Sequence, residues 1–258
     1  MRPSLPAAVT AVLVTVTVAV SGCSGPAATR AAGGTTVTVF AAASLKATFT
    51  RLGRTFEASH PGTAVVFNFA GSQALAEQIT QGAPADAFAS ANEASMATVA
   101  GAGLAAGRAR PFATNTLTIA VPPDNPAAVA TFADLARPGL KLVVCAPAVP
   151  CGAATVKLEE ATGVTLAPVS EEQAVTDVLA KVRAGEADAG LVYATDVIAA
   201  GDSVRGIPFP ESSRAVNRNA IVALAGGPQA RLGQEFVDLV LSAEGQKVLA
   251  DAGFGTAT

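Results

Sequence analysis

From about residue 36 onward the chain alternates between short β-like runs and longer runs whose apolar residues recur at helical spacing. This alternation constrains the fold more than any other feature. Strand, helix, strand in succession builds largely parallel sheets with helices packed on their faces. Thr36 to Phe40 reads as a strand, and Leu45 to Ser59 as a helix carrying Phe49, Leu52 and Phe56 on one face until His60-Pro61-Gly62 stops it. Ala64 to Phe69 is the next strand, followed by Gly71-Ser72 and a short helix with Leu75 and Ile79 that ends at Gly82 and Pro84. Asp86 to Ser90 and Glu93 to Val99 repeat the strand-helix pair.

Thr116 to Val121 is a strand after which the units restart, punctuated by Pro122-Pro123 and Asn125-Pro126. Phe132 to Leu135, Leu140 to Ala146, a helix after Gly152, a helix from Glu171 to Ala184 and a strand from Gly190 to Ala194 make a second α/β set. Ala220 to Ala225 is one more strand, and the amphipathic helices Arg231 to Leu241 and Gly245 to Ala252 close the chain. The expected fold is two α/β lobes, one from residues 36–114 plus 219–258 and the other from 115–218, joined by two strands that cross near 115 and 219. With 50% apolar residues, a substantial core is available despite the absence of Trp.

Residues 1–22 have the order of a secretory signal peptide: Arg2, an apolar run from Ala7 to Val20, then Ser21-Gly22 before Cys23. The apolar run is shorter than the roughly 20 residues that span a bilayer. Small residues just before a cysteine resemble the lipobox of bacterial lipoproteins, which implies a lipidated Cys23 anchored to the cell membrane and a Gly/Ala/Ser/Thr-rich tether over 23–35. The alternative is an ordinary signal peptide cut near Gly22. A diacylated terminus carries two acyl chains, enough for stable anchoring. Removing residues 1–22 takes away one Arg and no acid, so the net charge of −3 becomes −4. A mildly acidic chain argues against nucleic acid as a partner. Cys145 and Cys151, in CAPAVPC, are then an even remainder, which in an exported protein favours a disulfide. A metal or redox pair fits less well, because the spacing is not Cys-x-x-Cys and the single His60 lies far away in sequence. No cofactor and no direct protein-metal ligation are expected.

Catalytic patterns fail quickly. His60 sits in a helix-stop tripeptide, Ser44-Leu45-Lys46 lacks the Ser-x-x-Lys spacing, and Glu159-Glu160 and Glu171-Glu172 are adjacent pairs whose side chains diverge on a helix. Nothing matches a Walker loop or a Rossmann fingerprint. Four strand-to-helix corners remain: Ala43-Ser44, Gly71-Ser72, Pro150-Cys151-Gly152 and Gln173-Ala174-Val175. Each would present unpaired backbone N–H groups, and about half a positive charge, to an anion. Serine is also a favoured N-cap that satisfies its own helix. With Ser44 or Ser72 as N-cap, however, the third helical residue is Ala47 or Leu75, so no capping box forms. Tyr193, the only tyrosine, stands at a strand end, where its hydroxyl either meets water at the lobe interface or finds a buried partner.

VFAAASL (39–45), FAGSQALAEQITQGAPADAFASA (69–91), VPCG (149–152), QAVTDVLAKVRAGEADAGLVYATD (173–196) and SAEGQKVLADAGF (242–254) are similar to the matching segments of the periplasmic molybdate-binding proteins of ABC transporters. The resemblance runs in one order from about Val37 to Phe254. It implies a two-lobed periplasmic-binding-protein-like fold that holds a tetrahedral oxyanion between the lobes. Carried over by residue, Ser44 and Ser72 supply hydroxyl and amide from the first lobe, while the amides of Cys151 and Val175 and the hydroxyl of Tyr193 come from the second. It further implies a monomeric extracytoplasmic receptor, not an enzyme, that delivers molybdate and tungstate to the permease and ATPase of an importer. Two residues depart from the pattern: Cys151 stands where many relatives carry a small residue such as alanine, and Gln73 replaces a residue that is often small and polar. A disulfide at Cys151 would brace a binding corner.

A shell without Arg, Lys, Asp or Glu also selects. Hydrogen phosphate would bury a P–OH proton that finds no acceptor, at a cost of about 1–3 kcal/mol, whereas molybdate, tungstate and sulfate carry none. The alternatives are a receptor for another oxyanion such as sulfate, a secreted serine hydrolase using Ser44 or Ser72, or a thiol-redox protein using Cys145 and Cys151.

Overall fold

The computed structural model describes residues 34–257, so the signal peptide, Cys23 and nearly all of the tether lie outside the described residues. Along the chain the strands are β1 (Thr35–Ala42), β2 (Thr63–Ala70), β3 (Ala87–Ser90), β4 (Arg110–Asn115), β5 (Leu117–Val121), β6 (Leu142–Cys145), β7 (Ser170–Glu172), β8 (Ala189–Tyr193), β9 (Arg205–Ile207) and β10 (Asn217–Ala223). The helices are α1 (Lys46–Ser59), α2 (Ser72–Thr80), α3 (Glu93–Gly101), α4 (Pro150–Thr162), α5 (Val175–Arg183), α6 (Ala194–Ala200), α7 (Ala230–Leu241) and α8 (Ala243–Asp251). Among the described residues no helix is long and apolar enough to cross a membrane.

The strands form two five-stranded sheets, ordered β2-β1-β3-β10-β4 and β7-β6-β8-β5-β9. In the first, β2, β1 and β3 run parallel and β10 is antiparallel to both of its neighbours. In the second, β7, β6 and β8 run parallel and β5 is antiparallel to β8 and β9. Each lobe is thus an α/β layer in which one strand, next to the edge, runs antiparallel to both of its neighbours. The chain leaves the first sheet at Asn115 and re-enters it at Asn217, and these two asparagines are register partners on β4 and β10. The crossings between lobes therefore run side by side.

Each lobe buries its own core. In the first, α1 directs Phe49, Leu52 and Phe56 inward, and Phe49 meets Phe236 of α7 and Phe112 of β4 at centroid distances of 5.8 and 5.9 Å. Tilted and edge-on pairs of this kind add about 0.5–1.5 kcal/mol beyond their burial. In the second, Leu117, Ile119 and Val121 of β5 pack with Leu142, Leu191 and Phe132, which stacks on Phe209 at 5.2 Å.

Three local expectations need correction. The helix expected from Glu171 starts only at Val175, because Ser170–Glu172 pairs with β6 as an edge strand and apolar residues at helical spacing (Val175, Val178, Val182) begin there. The Lys181 ammonium and the Ser170 hydroxyl bind the Glu172 carboxylate and hold its pKa below the usual range, which fixes that edge to α5. The strand expected from Ala220 begins at Asn217, since Asn217 and Asn219 are buried in spite of their polarity. Strands β4, β7 and β9 and helix α6 were not expected, being short or lacking a clear period.

Candidate ligand-binding site

All four corners converge. Ser44, Ser72, Cys151, Val175 and Tyr193 line one small cavity between the lobes, together with alanines, glycine, valine and proline. No charged residue lines it.

The corners differ from the sequence expectation in one informative way: neither serine caps its own helix. Ser44 lies inside a 3₁₀ turn (Ala43–Leu45) whose N-cap is Ala42, and its Oγ is buried with no hydrogen-bond partner. Ser72 is the first residue of α2, after Gly71 as N-cap, and its Oγ accepts from the Ala91 amide at 3.0 Å. With that acceptance made, the Ser72 hydroxyl proton remains available to a group in the cavity. Cys151 follows Pro150 at the start of α4, and Val175 opens α5. None of these helix starts has a side-chain cap, whereas α3 and α8, whose starts lie elsewhere, are capped by Asn92 and Ser242. The first amides of α2, α4 and α5 therefore lack the partners that a self-satisfied helix would have.

The third corner is pinned from two sides. Cys145, the last residue of β6, is disulfide-bonded to Cys151. A Cβ at Gly152 would stand 1.9 Å from the Ala146 carbonyl oxygen, so only glycine lets α4 begin this close to β6. Both cysteines are 2% exposed, unlike the accessible thiols of redox sites, and the pair is a brace behind the cavity.

Tyr193 ends β8 and is 1% exposed, and its Oη has no hydrogen-bond partner, so the reading that placed this hydroxyl in water is corrected. Asn217 faces the phenol, but its amide nitrogen donates to the carbonyls of Ala91 at 3.1 Å and Pro150 at 3.3 Å. Burial, and then the charge of Asp196, push the phenol pKa well above its ordinary value. At neutral pH Tyr193 keeps its proton and is a donor.

Asp196 accepts from the Tyr193 amide at 2.9 Å and thereby anchors the strand end that carries the phenol. Burial raises the Asp196 carboxyl pKa from 3.8 to about 7, against the opposing effect of that hydrogen bond. Because the folded pKa lies above the unfolded one, the folded state retains a proton that the unfolded chain gives up between about pH 4 and pH 7. Stability therefore falls as pH rises through that window and levels off above it. Asp196→Asn keeps an acceptor for the Tyr193 amide but cannot ionise. In calorimetric melts the variant is expected to lose the decline and to melt above wild type at about pH 8; an unchanged decline between about pH 5 and pH 7 would assign it to other groups.

The remaining candidates are not brought to the cavity. His60 ends α1, stacks on Phe56 at 3.9 Å and pairs with Glu235 at 2.9 Å. The 14 residues of α1 put roughly 20 Å between that end and Ser44, so His60 does not reach Ser44; the serine beside it is its chain neighbour Ser59, at 3.0 Å. Among the described residues no group of three or more His, Cys, Asp or Glu side chains could hold a metal ion. The sequence marks Gly71 only as part of the Gly71-Ser72 corner and does not mark Asn217 or Ala91 as site residues. Those two lie outside the helix-start pattern, and the need for glycine at position 71 arises only from the opposite lobe.

A family model described as bacterial extracellular solute-binding protein matches residues 37–255. The molybdate-binding protein ModA of Mycobacterium tuberculosis is 51% identical over 222 residues, covering 86% of this chain and 85% of the relative. Among solved structures, the periplasmic molybdate-binding protein of Azotobacter vinelandii superposes with a TM-score of 0.73 at 20% identity, covering 86% of this chain and all of that one (100%). The sulfate-binding protein SubI of Mycobacterium tuberculosis gives 0.70 at 22% identity over 85% of this chain and 86% of that one. At these identities the two structures establish the shared fold.

Proposed function

The chain belongs to the bacterial extracellular solute-binding proteins, which bind solutes and are not enzymes, and from that premise we propose that it is a receptor for molybdate and tungstate. The oxyanion sits in the interlobe cavity, held by the hydroxyls of Ser44, Ser72 and Tyr193 and the amides of Cys151 and Val175. The observation that carries this reading is the lining itself: it is uncharged, and two of its hydroxyls, on Ser44 and Tyr193, are buried without partners. A buried unpaired hydroxyl costs about 1–3 kcal/mol, a cost that a ligand able to accept both protons removes. The identity to the mycobacterial molybdate-binding protein over most of both chains supports the choice of oxyanion.

Selectivity follows from the same neutrality. Three hydroxyls and the helix-start amides offer protons, and no carboxylate lines the cavity to accept one. A fully deprotonated tetrahedral dianion matches this donor set, whereas a P–OH proton of hydrogen phosphate would have to be accepted by a group that otherwise donates. Sulfate passes that test but is smaller than molybdate, which leaves its hydrogen bonds long. Thermal melts across the oxyanions test this. Molybdate and tungstate at 100 times their dissociation constants are expected to stabilise by about 2.7 kcal/mol, with a smaller effect from sulfate at equal concentration and none from phosphate. A response to sulfate or phosphate that exceeds the response to molybdate would reassign the ligand.

Delivery follows the same reading. Cys23 carries the lipid that keeps this monomeric receptor at the cell membrane, next to the permease and ATPase of an importer. The residue order before Cys23 supports this anchor.

A further inference from the structure

Asn217 is a polar residue, 7% exposed, at the first position of β10, where the chain re-enters the first sheet. An isolated buried amide would be a liability, yet this one is engaged with the cavity on three sides. Its Nδ2 donates to the Ala91 carbonyl at 3.1 Å, and the amide of the same Ala91 holds Ser72 Oγ. The same Nδ2 donates to the carbonyl of Pro150 at 3.3 Å, one residue before Cys151. The side chain also faces the Tyr193 phenol. Ala91 belongs to the first lobe and Pro150 to the second, so one amide nitrogen spans the cleft.

This arrangement has a second consequence. The Asn217 amide also acts on the Tyr193 phenol, opposing the rise in its pKa, yet no group among the described residues lies within full hydrogen-bond geometry of Oη. The phenol is thus held beside Asn217 with its proton free for a ligand.

We propose that Asn217 is a positioning residue: it latches the two lobes across the cleft and sets the Ser72, Cys151 and Tyr193 donors at one mutual spacing. The inference rests on the oxyanion reading given above and adds to it a residue that touches no ligand. A latch between lobes acts after the ligand has entered, so its removal speeds release and leaves capture alone.

The chain has one tyrosine and no tryptophan, so intrinsic tyrosine fluorescence reports on Tyr193 itself. Stopped-flow mixing of molybdate with wild type, Asn217→Ala and the near-isosteric Asn217→Asp is the test. Both variants are expected to raise the dissociation rate about 10- to 100-fold, as for two lost hydrogen bonds. Association should stay within about twofold and the ligand-free melting temperature should be little changed. Asn217→Asp keeps the packing but cannot donate, and its carboxylate faces the dianion, so it should be the weaker binder. An unchanged dissociation rate overturns the latch, as does an Asn217→Asp protein that binds like wild type. So does a matched fall in association rate and ligand-free stability, which would mark Asn217 as a fold residue only. A wild type that responds to sulfate or phosphate rather than molybdate overturns the ligand assignment and not the latch, which the same mixing with that anion then tests. A wild type silent to every oxyanion overturns both.

Discussion

Gly71→Ala is expected to weaken molybdate binding about 5- to 150-fold while leaving the ligand-free protein as stable as wild type. Gly71 has φ −58° and ψ 136°, a conformation open to any residue, so its own lobe does not require glycine. The requirement comes from across the cleft: a Cβ at this position would stand 2.3 Å from the Gln173 carbonyl oxygen of the second lobe. It would also crowd the Gln73 amide, whose Nε2 donates to that carbonyl at 3.3 Å, but a flexible side chain can yield and a backbone oxygen at a helix start cannot. Overpacking of this kind costs about 1–3 kcal/mol, which converts to the stated loss of affinity when it is charged to the closed state alone. With the lobes apart the alanine meets nothing, and the stiffer unfolded chain contributes a few tenths of a kcal/mol in its favour. Titration calorimetry and ligand-free melts together decide the matter. A variant that binds as tightly as wild type would mean that the lobes need not approach this closely around the ligand.

Tyr193→Phe is expected to lower affinity and leave ligand-free stability close to that of wild type. The phenylalanine fills the same space and removes a hydroxyl that is buried without a partner only when the lobes are together, so with the lobes apart little changes. Binding should lose a neutral donor to a charged acceptor, about 1.5–3 kcal/mol or about 10- to 150-fold. A hydroxyl kept for the fold gives another pattern, in which both quantities fall. Urea unfolding without ligand and calorimetric titration with molybdate separate the two cases. A variant less stable than wild type and unchanged in affinity would remove Tyr193 from the site.

How much of this was legible in the sequence depends on distance along the chain. Phe49, Leu52 and Phe56 announce α1 because helical periodicity is a local property, and the lobe order follows from the alternation of such segments. The five cavity residues were reachable because helix starts and strand ends leave local marks, and because the ordered segments resemble a known family. What was not legible is what one lobe does to the other. Ser72 looked like a cap for its own helix and instead accepts from Ala91, nineteen positions away. Gly71 reads as part of a helix-start corner, and its room for Gln173 is invisible from its neighbours in sequence. Asn217 is not singled out at all, since nothing nearby in sequence tells that its nitrogen meets Ala91 and Pro150. The α6 helix, with 7 residues, is too short to display a period, yet it supplies the Asp196 that holds the Tyr193 amide.

The central claim is that a neutral cavity built from helix starts and three hydroxyls holds the oxyanion. The most direct measurement is anomalous diffraction at the molybdenum absorption edge from crystals grown with molybdate. The account predicts a single strong peak between the lobes, at the centre of the space bounded by Ser44, Ser72, Cys151, Val175 and Tyr193, with each oxygen within hydrogen-bond distance of their hydroxyls and amides. A peak at any other place on the chain, with this cavity holding water alone, would contradict it.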